Sequence, residues 1–229
     1  PALVLDVKTG AGAFMRKRAD AEQLARTMVD LGTAAAVRTV AYVTSMESPL
    51  GRAAGNAVEV AQAVEVLNGG GPADVVELTL TLARAMLEAA GIDADPAEAL
   101  SSGRALDTWR AMIRGQGGDP DAPLPTARHT RVIEAPHAGV LTRLDALSVG
   151  IAAWRLGAGR ARKEDPVQAS AGVTWTVGVG DHVEAGQPLF TLHTDTPDRF
   201  ERAEAALMDG WQLGEGPAES GPLVLGRID

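Results

Sequence analysis

Two runs of apolar residues open the chain, and neither alternates with polar residues as a half-exposed strand would. They cover residues 2–7 (ALVLDV) and 37–44 (VRTVAYVT). This pattern is typical of parallel strands covered on both faces. A crossover of this length predicts a right-handed βαβ unit. Two parallel strands make too small a sheet, so we expect neighbouring strands from a longer chain.

A segment with apolar residues at helical spacing follows the first strand. Leu24, Met28 and Leu31 recur at that spacing, with Asp20 as the predicted N-cap and Gly32 as the predicted end. Four more helices are predicted, over residues 56–67, 74–90 (with Asp74 as its cap), 95 onward (with Asp95 and Pro96 at its start) and 103–114.

The pattern changes at residues 115–128, a stretch rich in Gly, Pro and Asp without periodicity, which we interpret as a linker. Beyond it, short strands alternate with turns, interrupted by helices near 146–156 and 197–208 and followed by a Gly/Pro-rich tail. The predicted fold class is α/β. A partial parallel sheet with helices (residues 1–114, part of an α/β domain) precedes a small antiparallel β, barrel-sandwich-like C-terminal subdomain (residues 129–229).

Composition narrows the function classes. The chain has 229 residues and a net charge of -9, which argues against a nucleic-acid surface. It contains no cysteine, so disulfides and thiol chemistry are excluded. No apolar run reaches the roughly 18 residues of a membrane helix, and we expect a cytoplasmic protein without a membrane partner.

The loop DVKTGAGAFM at residues 6–15 is the first candidate for chemistry. A strand leading into glycines suggests a phosphate site, but the dinucleotide template places Met15 where a third glycine belongs. The P-loop template fails too, because Met15, Arg16 and Lys17 occupy its Gly, Lys and Ser/Thr positions. Gly10 and Gly12 are therefore predicted to turn the chain sharply.

Other candidate chemistry is weak. The histidines lie at turns or strand ends without a metal-binding frame, and we interpret them as ordinary surface or strand residues; they are His129, His137, His182 and His193. No serine has a nucleophile signature. We expect no catalytic residue within these 229 residues.

The C-terminal part resembles a biotinyl or lipoyl carrier domain. VGDHVEAGQPL at 179–189 is similar to its second half and EAPHAGVL at 134–141 to its first. A carrier needs a lysine at the hairpin tip, but Thr194, Asp195 and Thr196 occupy that region and no lysine follows Lys163. The fold similarity therefore does not extend to the carrier chemistry.

Four ordered motifs resemble the pyrimidine-nucleoside phosphorylase and thymidine phosphorylase family. They are ALVLDVKTGAGAFM (2–15), MESPLGRAAGNAVEV (46–60), LGAGRARKED (156–165) and GVGDHVEAGQPLFTLH (178–193). The resemblance implies phosphate-dependent cleavage of thymidine, deoxyuridine or uridine to the free base and a pentose 1-phosphate. It also implies a homodimer acting in nucleoside salvage without an organic cofactor.

The same resemblance implies that this is the C-terminal portion of such an enzyme. In the family, the phosphate-binding cluster and most groups that contact the base lie earlier in the chain. We therefore expect residues 1–229 alone to be inactive. The alternative is a non-enzymatic binding or scaffold module, built on a carrier-like β domain that lacks the attachment lysine.

Three substrate-site residues follow from the resemblance. Phe14 would form an apolar wall of the pyrimidine pocket, or else only close the turn. Asp6 and Lys8 lie at the carboxyl end of the first strand, where α/β sheets bind ligands. A salt bridge that orders the loop is their expected role, with substrate contact as the alternative.

Some family members bind potassium. The matching positions are Leu50 and Ala53, through backbone carbonyls, and Gln62, where the family has a glutamate. Gln62 keeps a carbonyl oxygen but loses the negative charge. For Gly157, Gly159 and Arg160 in LGAGR, a helix C-cap with a charged turn is expected, and packing near the cleft is the alternative.

Overall fold

The computed structural model describes all residues from 1 to 229 as a mixed α/β protein with three small sheets. The seven α-helices are Arg18–Ala34 (α1), Ala57–Leu67 (α2), Ala73–Ala90 (α3), Pro96–Ser101 (α4), Arg104–Gly115 (α5), Ala146–Ala153 (α6) and Phe200–Met208 (α7). The ten strands are Ala2–Thr9 (β1), Arg38–Ser45 (β2), Ala53–Gly55 (β3), His129–Glu134 (β4), Gly139–Leu144 (β5), Gly172–Trp175 (β6), His182–Val183 (β7), Pro188–Thr194 (β8), Trp211–Gly214 (β9) and Val224–Ile228 (β10).

Contacts between residues divide the chain into two compact units. Unit 1 contains residues 1–46, 64–122 and 221–229, and unit 2 contains residues 47–63 and 123–220. These units differ from the linear division drawn from the sequence, because residues 47–63 join the β-rich part and the last nine residues join the first part.

The predicted βαβ start of unit 1 is confirmed. β1 and β2 are parallel and in register from Ala2 opposite Arg38 to Thr9 opposite Ser45. No strand was predicted in the Gly/Pro-rich tail, but β10 pairs with the other edge of β2 in antiparallel orientation. The strand order β1-β2-β10 leaves β1 at the edge of the sheet.

Helix α1 lies where the sequence predicts it but presents a different face. Its buried residues are Ala21, Ala25 and Val29, whereas Leu24 and Leu31 are exposed. The helical spacing of Leu24 and Leu31 therefore does not mark the buried face, because small alanines approach the sheet more closely than leucines can. The predicted cap Asp20 is also wrong, since the helix begins at Arg18 and Asp20 lies in its first turn.

The ends of the following helices were predicted with mixed success. Helix α3 begins at Ala73 with Pro72 in the cap position, so Asp74 lies in the first turn instead of capping the helix. Asp95 does cap α4, because its side chain accepts a hydrogen bond from the backbone N–H of Ala97. The predicted end of α1 at Gly32 is wrong, because the helix continues to Ala34.

Unit 2 contains two antiparallel sheets and no closed barrel. Their strand orders are β3-β6-β8-β4 and β7-β5-β9. Leu141, Leu156, Val173, Phe190 and Leu192 are among the fully buried side chains of its core. The short strand β3 pairs with β6, which attaches residues 53–55 to this unit.

No helix in the structure combines the length and the apolar character needed to cross a membrane.

Candidate functional site

The loop after β1 has a defined backbone. Gly10 has a φ of 120°, a conformation that residues with a Cβ rarely adopt. Its N–H donates to the Met15 carbonyl at 3.2 Å, and the Gly12 N–H donates to the Met46 carbonyl at 3.0 Å. Gly10 therefore turns the chain as predicted, and backbone hydrogen bonds from both glycines hold the loop near the end of β2.

This loop exposes Phe14 completely. The side chain has a relative accessibility of 104%, the largest among the exposed hydrophobic residues of the chain. Fully burying a phenylalanine side chain is worth about 1.5–3 kcal/mol, so its exposure forgoes that stabilisation. An aromatic ring held outward on an ordered loop is available to pack against a ligand or another surface.

Asp6 and Lys8 form the predicted ion pair beneath the loop. The Lys8 ammonium donates to the Asp6 carboxylate at 2.7 Å and to the Thr44 hydroxyl at 3.0 Å. The Thr44 hydroxyl in turn donates to the other oxygen of Asp6 at 2.5 Å. The three side chains close a ring of hydrogen bonds in which both charges are neutralised.

Thr44 was missed by the sequence reasoning, although a signal for it existed. It lies opposite Lys8 in the parallel register of β1 and β2 and is completely buried. Aligning the two predicted strands would have placed it beside the ion pair, because neighbouring side chains on one face of a sheet interact directly.

The residues matched to a potassium site lie in unit 2, around the loop before β3. The Gln62 side-chain oxygen accepts a hydrogen bond from the Arg52 backbone N–H at 2.5 Å. Gly51 has a φ of 78°, and a Cβ there would lie 2.4 Å from the Gln62 amide nitrogen. Gln62 therefore packs tightly on this turn and fixes its backbone.

The potassium assignment stays a prediction, and Gln62 has another role in this turn. The side-chain oxygen offered by Gln62 is uncharged and already accepts a backbone hydrogen bond. Leu50 and Ala53 would add neutral backbone carbonyl oxygens. No group of three or more histidine, aspartate and glutamate side chains in the structure could hold a metal ion.

His193 and the carrier-like hairpin have structural partners. His193 Nε2 forms a hydrogen bond of 2.9 Å with the Thr174 hydroxyl, and partial burial lowers the pKa of His193. At the place of a carrier lysine, the buried Thr194 donates to the Leu156 carbonyl at 2.7 Å. Asp195 accepts from the Arg128 N–H and the Ser170 hydroxyl, which lowers its pKa. These side chains form hydrogen bonds that stabilise the fold, and none of them provides an attachment amine.

The candidate residues thus form two separate sets. Phe14, Asp6 and Lys8 share the end of β1 in unit 1, whereas Leu50, Ala53 and Gln62 share a turn in unit 2. Within the first set, Asp6 and Lys8 contact each other and Phe14 extends into solvent.

Comparison with known proteins gives consistent matches. The sequence profile described as "Pyrimidine nucleoside phosphorylase C-terminal domain" matches residues 140–214. Thymidine phosphorylase of Mycobacterium tuberculosis (strain ATCC 25618 / H37Rv) is 52% identical over 228 residues, which is 99% of this chain and 53% of that protein. Pyrimidine-nucleoside phosphorylase of Staphylococcus haemolyticus is 43% identical over 206 residues, 85% of this chain and 48% of that protein. The chain therefore spans about half the length of the curated relatives it matches.

Proposed function

We propose, because this chain belongs to the pyrimidine-nucleoside phosphorylase and thymidine phosphorylase family, that it forms the C-terminal portion of a pentosyltransferase. The proposed reaction is the phosphate-dependent cleavage of thymidine, deoxyuridine or uridine to the free base and a pentose 1-phosphate. The family's homodimer and the barrel-sandwich-like arrangement of the β-rich part belong to the same proposal.

The observation that carries the proposal is the exposed ring of Phe14 on an ordered loop. A pyrimidine base is flat and largely apolar on its faces, and aromatic side chains pack well against such rings. Phe14 would therefore form an apolar wall for the base.

The Asp6–Lys8–Thr44 ring would support this role from below. It ties the last residues of β1 to the last residues of β2 and so fixes the point from which the loop leaves the sheet. Because both charges are neutralised within the ring, we assign these residues to positioning the loop and not to proton transfer. Positioning of this kind matters, since a displacement of about 1 Å can cost about 100-fold in rate.

The chemistry also needs groups that these positions do not supply. Cleavage of the glycosidic bond builds positive charge on the sugar and negative charge on the leaving base. A phosphate dianion next to the sugar and donors next to the base would stabilise that charge separation. We assign these groups to the half of the enzyme outside this chain and propose that residues 1–229 alone are inactive.

A complementation assay tests the proposal. Residues 1–229 would be assayed alone, and together with the N-terminal half of the M. tuberculosis relative, for release of thymine or uracil from nucleosides. We expect release only from the mixture and only when inorganic phosphate is present. Activity of residues 1–229 alone would refute the inactive fragment, and phosphate-independent turnover would refute the reaction.

The same assay separates the scaffold alternative. That alternative predicts no turnover by the mixture on any pyrimidine nucleoside, although the two halves bind each other. Size-exclusion chromatography of the mixture would show whether the halves associate, so that a failure to assemble is distinguished from an inactive assembly.

A further inference from the structure

A basic cavity lies in unit 2 and includes Gly159 and Arg160 of the LGAGR segment. It has a volume of about 490 Å³ and lies where the turn after α6 meets the start of α7. Four arginines and one tryptophan contribute to its lining: Trp154, Arg155, Arg160, Arg199 and Arg202. Such an accumulation of positive charge is unexpected in a chain whose net charge is -9.

These arginines lack carboxylate partners. Elsewhere, Arg131 pairs with Glu204 at 3.0 Å and Arg227 pairs with Glu88 at 2.9 Å. None of the four cavity arginines forms a salt bridge anywhere in the chain. Their charges are therefore not neutralised by the protein.

Backbone contacts hold part of this cluster in place. Arg155 donates to the Arg202 carbonyl at 2.7 Å, and Arg199 donates to the Arg155 carbonyl at 3.2 Å. Arg160 donates to the Lys163 carbonyl at 3.1 Å. A guanidinium has five N–H donors, so each of these side chains keeps donors for a ligand.

The turn that carries the cluster is itself anchored. It is a kinked segment over Trp154–Ala158, in which Gly157 leaves the helical conformation with a φ of 110°. The Asn56 amide donates to the Ala158 carbonyl at 2.8 Å, and the Gln168 N–H donates to the Gly157 carbonyl at 2.9 Å. These hydrogen bonds fix the backbone of the turn.

The two aspartates in the lining do not cancel the positive charge. The Asp165 carboxylate accepts hydrogen bonds from the backbone N–H groups of Ala161 and Arg162, at 3.2 Å and 2.9 Å. Asp198 lies exposed in the first turn before α7. Four guanidinium groups against two carboxylates leave a positive excess in the cavity.

Trp154 adds an aromatic surface beside the arginines. The tryptophan is 43% exposed although it follows the buried end of α6. A Cβ on Gly159 would lie 2.8 Å from its ring, so the glycine allows the indole to lie against the turn. The exposed remainder of the ring can stack on a flat ligand.

We propose that this cavity binds a nucleotide, with its phosphates on the arginines and its base stacked on Trp154. Arginine forks match phosphate oxygens in paired hydrogen bonds, so unpaired guanidinium groups are suitable ligands for phosphates. Stacking between a base and an aromatic side chain adds affinity for every kind of base. The cavity belongs to unit 2 and the loop of Phe14 to unit 1, and the proposal is argued only from the unpaired arginines and Trp154.

Calorimetric titration with ADP tests the site on residues 1–229. ADP is chosen because its purine lies outside the pyrimidine substrates proposed above. We expect saturable one-to-one binding, and at least tenfold weaker binding for inorganic phosphate alone and for adenosine alone. Binding of phosphate as tight as that of ADP, or no saturable binding of ADP up to millimolar concentration, would overturn the proposal.

Matched variants locate the bound nucleotide. Arg202→Gln removes a side chain that donates no hydrogen bond within the chain, and we expect about tenfold weaker binding of ADP. Arg104→Gln replaces an exposed arginine on α5 and should leave the affinity unchanged. Equal effects of the two substitutions would show nonspecific attraction and overturn the site.

Trp154→Phe gives a second readout that does not depend on a loss of binding. ADP should quench tryptophan fluorescence in the unmodified chain, and the substitution should abolish the quenching while calorimetry still detects binding. Persistent quenching in Trp154→Phe would place the nucleotide elsewhere and refute the assignment.

Discussion

The loop after β1 and the turn after α6 share one backbone arrangement but differ in the charge around it. Each passes through a glycine at positive φ, Gly10 at 120° and Gly157 at 110°, and each exposes one aromatic ring. Beneath Phe14, the positive charge of Lys8 is neutralised by Asp6. Beside Trp154, the arginines have no carboxylate partner.

The difference indicates two ligand classes. A neutral pyrimidine ring gains little from a net charge beside it. An apolar wall next to the neutralised pair of Asp6 and Lys8 is therefore suitable for it. A phosphate-bearing ligand needs positive groups that the protein has left unpaired. The balance of charge around an exposed ring, more than the ring itself, therefore distinguishes the two proposed sites.

The largest expected effect comes from removing the ring of the first site. In the assembled enzyme, Phe14→Ala should lower kcat/KM for thymidine by about 30-fold, since losing the contact of a large apolar side chain costs about 2 kcal/mol. The free energy of unfolding should not change, because the side chain is fully exposed. Steady-state kinetics and urea unfolding measure the two quantities.

Phe14→Leu is the matched control, because it keeps an apolar side chain of similar reach and should lose less than Phe14→Ala. A drop in stability with Phe14→Ala, or unchanged kinetics, would contradict the assigned role of the ring.

The backbone of the second site should respond next most strongly. A Cβ on Gly157 would lie 2.9 Å from the Gln168 side chain, and the residue would be strained at its φ of 110°. Gly157→Ala should therefore lower the free energy of unfolding by about 1–3 kcal/mol. Urea unfolding followed by tryptophan fluorescence measures this change.

Gly150→Ala provides the control for that substitution. Nothing lies within 4 Å of a Cβ at Gly150, and alanine favours a helix more than glycine does. The two substitutions should therefore change stability with opposite signs. Equal destabilisation by both would show that the turn after α6 is not specially constrained.

Breaking the neutralised pair should have a smaller effect on stability. Lys8→Met removes the ammonium that joins Asp6 to Thr44, and partly exposed ion pairs are worth about 0–1 kcal/mol. We expect destabilisation within that range, together with a lower kcat/KM in the assembled enzyme because the loop of Phe14 loses its anchor.

Arg18→Gln removes an exposed ion pair with Glu22 on α1 and should leave the kinetics unchanged. If Lys8→Met had no greater kinetic effect than Arg18→Gln, the positioning role of the Asp6–Lys8–Thr44 ring would be refuted.

The smallest expected effect is a dependence of stability on pH, confined to unit 2. All four histidines lie in that unit, and burial lowers the pKa of His193 in the folded state. The unfolded chain then binds more protons just below its ordinary pKa of about 6.5. Stability is therefore fully present above this pH and decreases as the pH falls through that value toward the folded pKa.

Native-state hydrogen exchange near pH 5.5 and pH 7.5 compares the two units. Protection in β6 and β8 should decrease at the lower pH, and His193→Gln should reduce the change. An equal decrease in β1 and β2 would contradict the assignment to His193.

The sequence alone predicted elements whose signal is local. The apolar runs of β1 and β2 stand out because both faces of these strands need cover. The buried face of α1 was missed because Ala21 and Ala25 carry it, whereas the larger Leu24 and Leu31 dominate a hydrophobic pattern although they are exposed. β10 was missed because its pairing with β2 joins residues far apart in the chain.

Prediction of the sites was also limited to residues that lie close together in the chain. The motif containing Phe14 lies in one continuous segment, so its loop could be recognised and its glycines interpreted. The basic cavity combines Arg155 and Arg160 with Arg199 and Arg202 from a later segment. Only the folded chain brings these arginines together and shows that they are unpaired.

The most direct test of the central claim is the phosphate-dependent release of thymine by the assembled enzyme, with and without Phe14→Ala. The account predicts no release without phosphate, clear release with it, and a kcat/KM about 30-fold lower for the substituted protein. Release without phosphate, or equal kcat/KM for the two proteins, would contradict it.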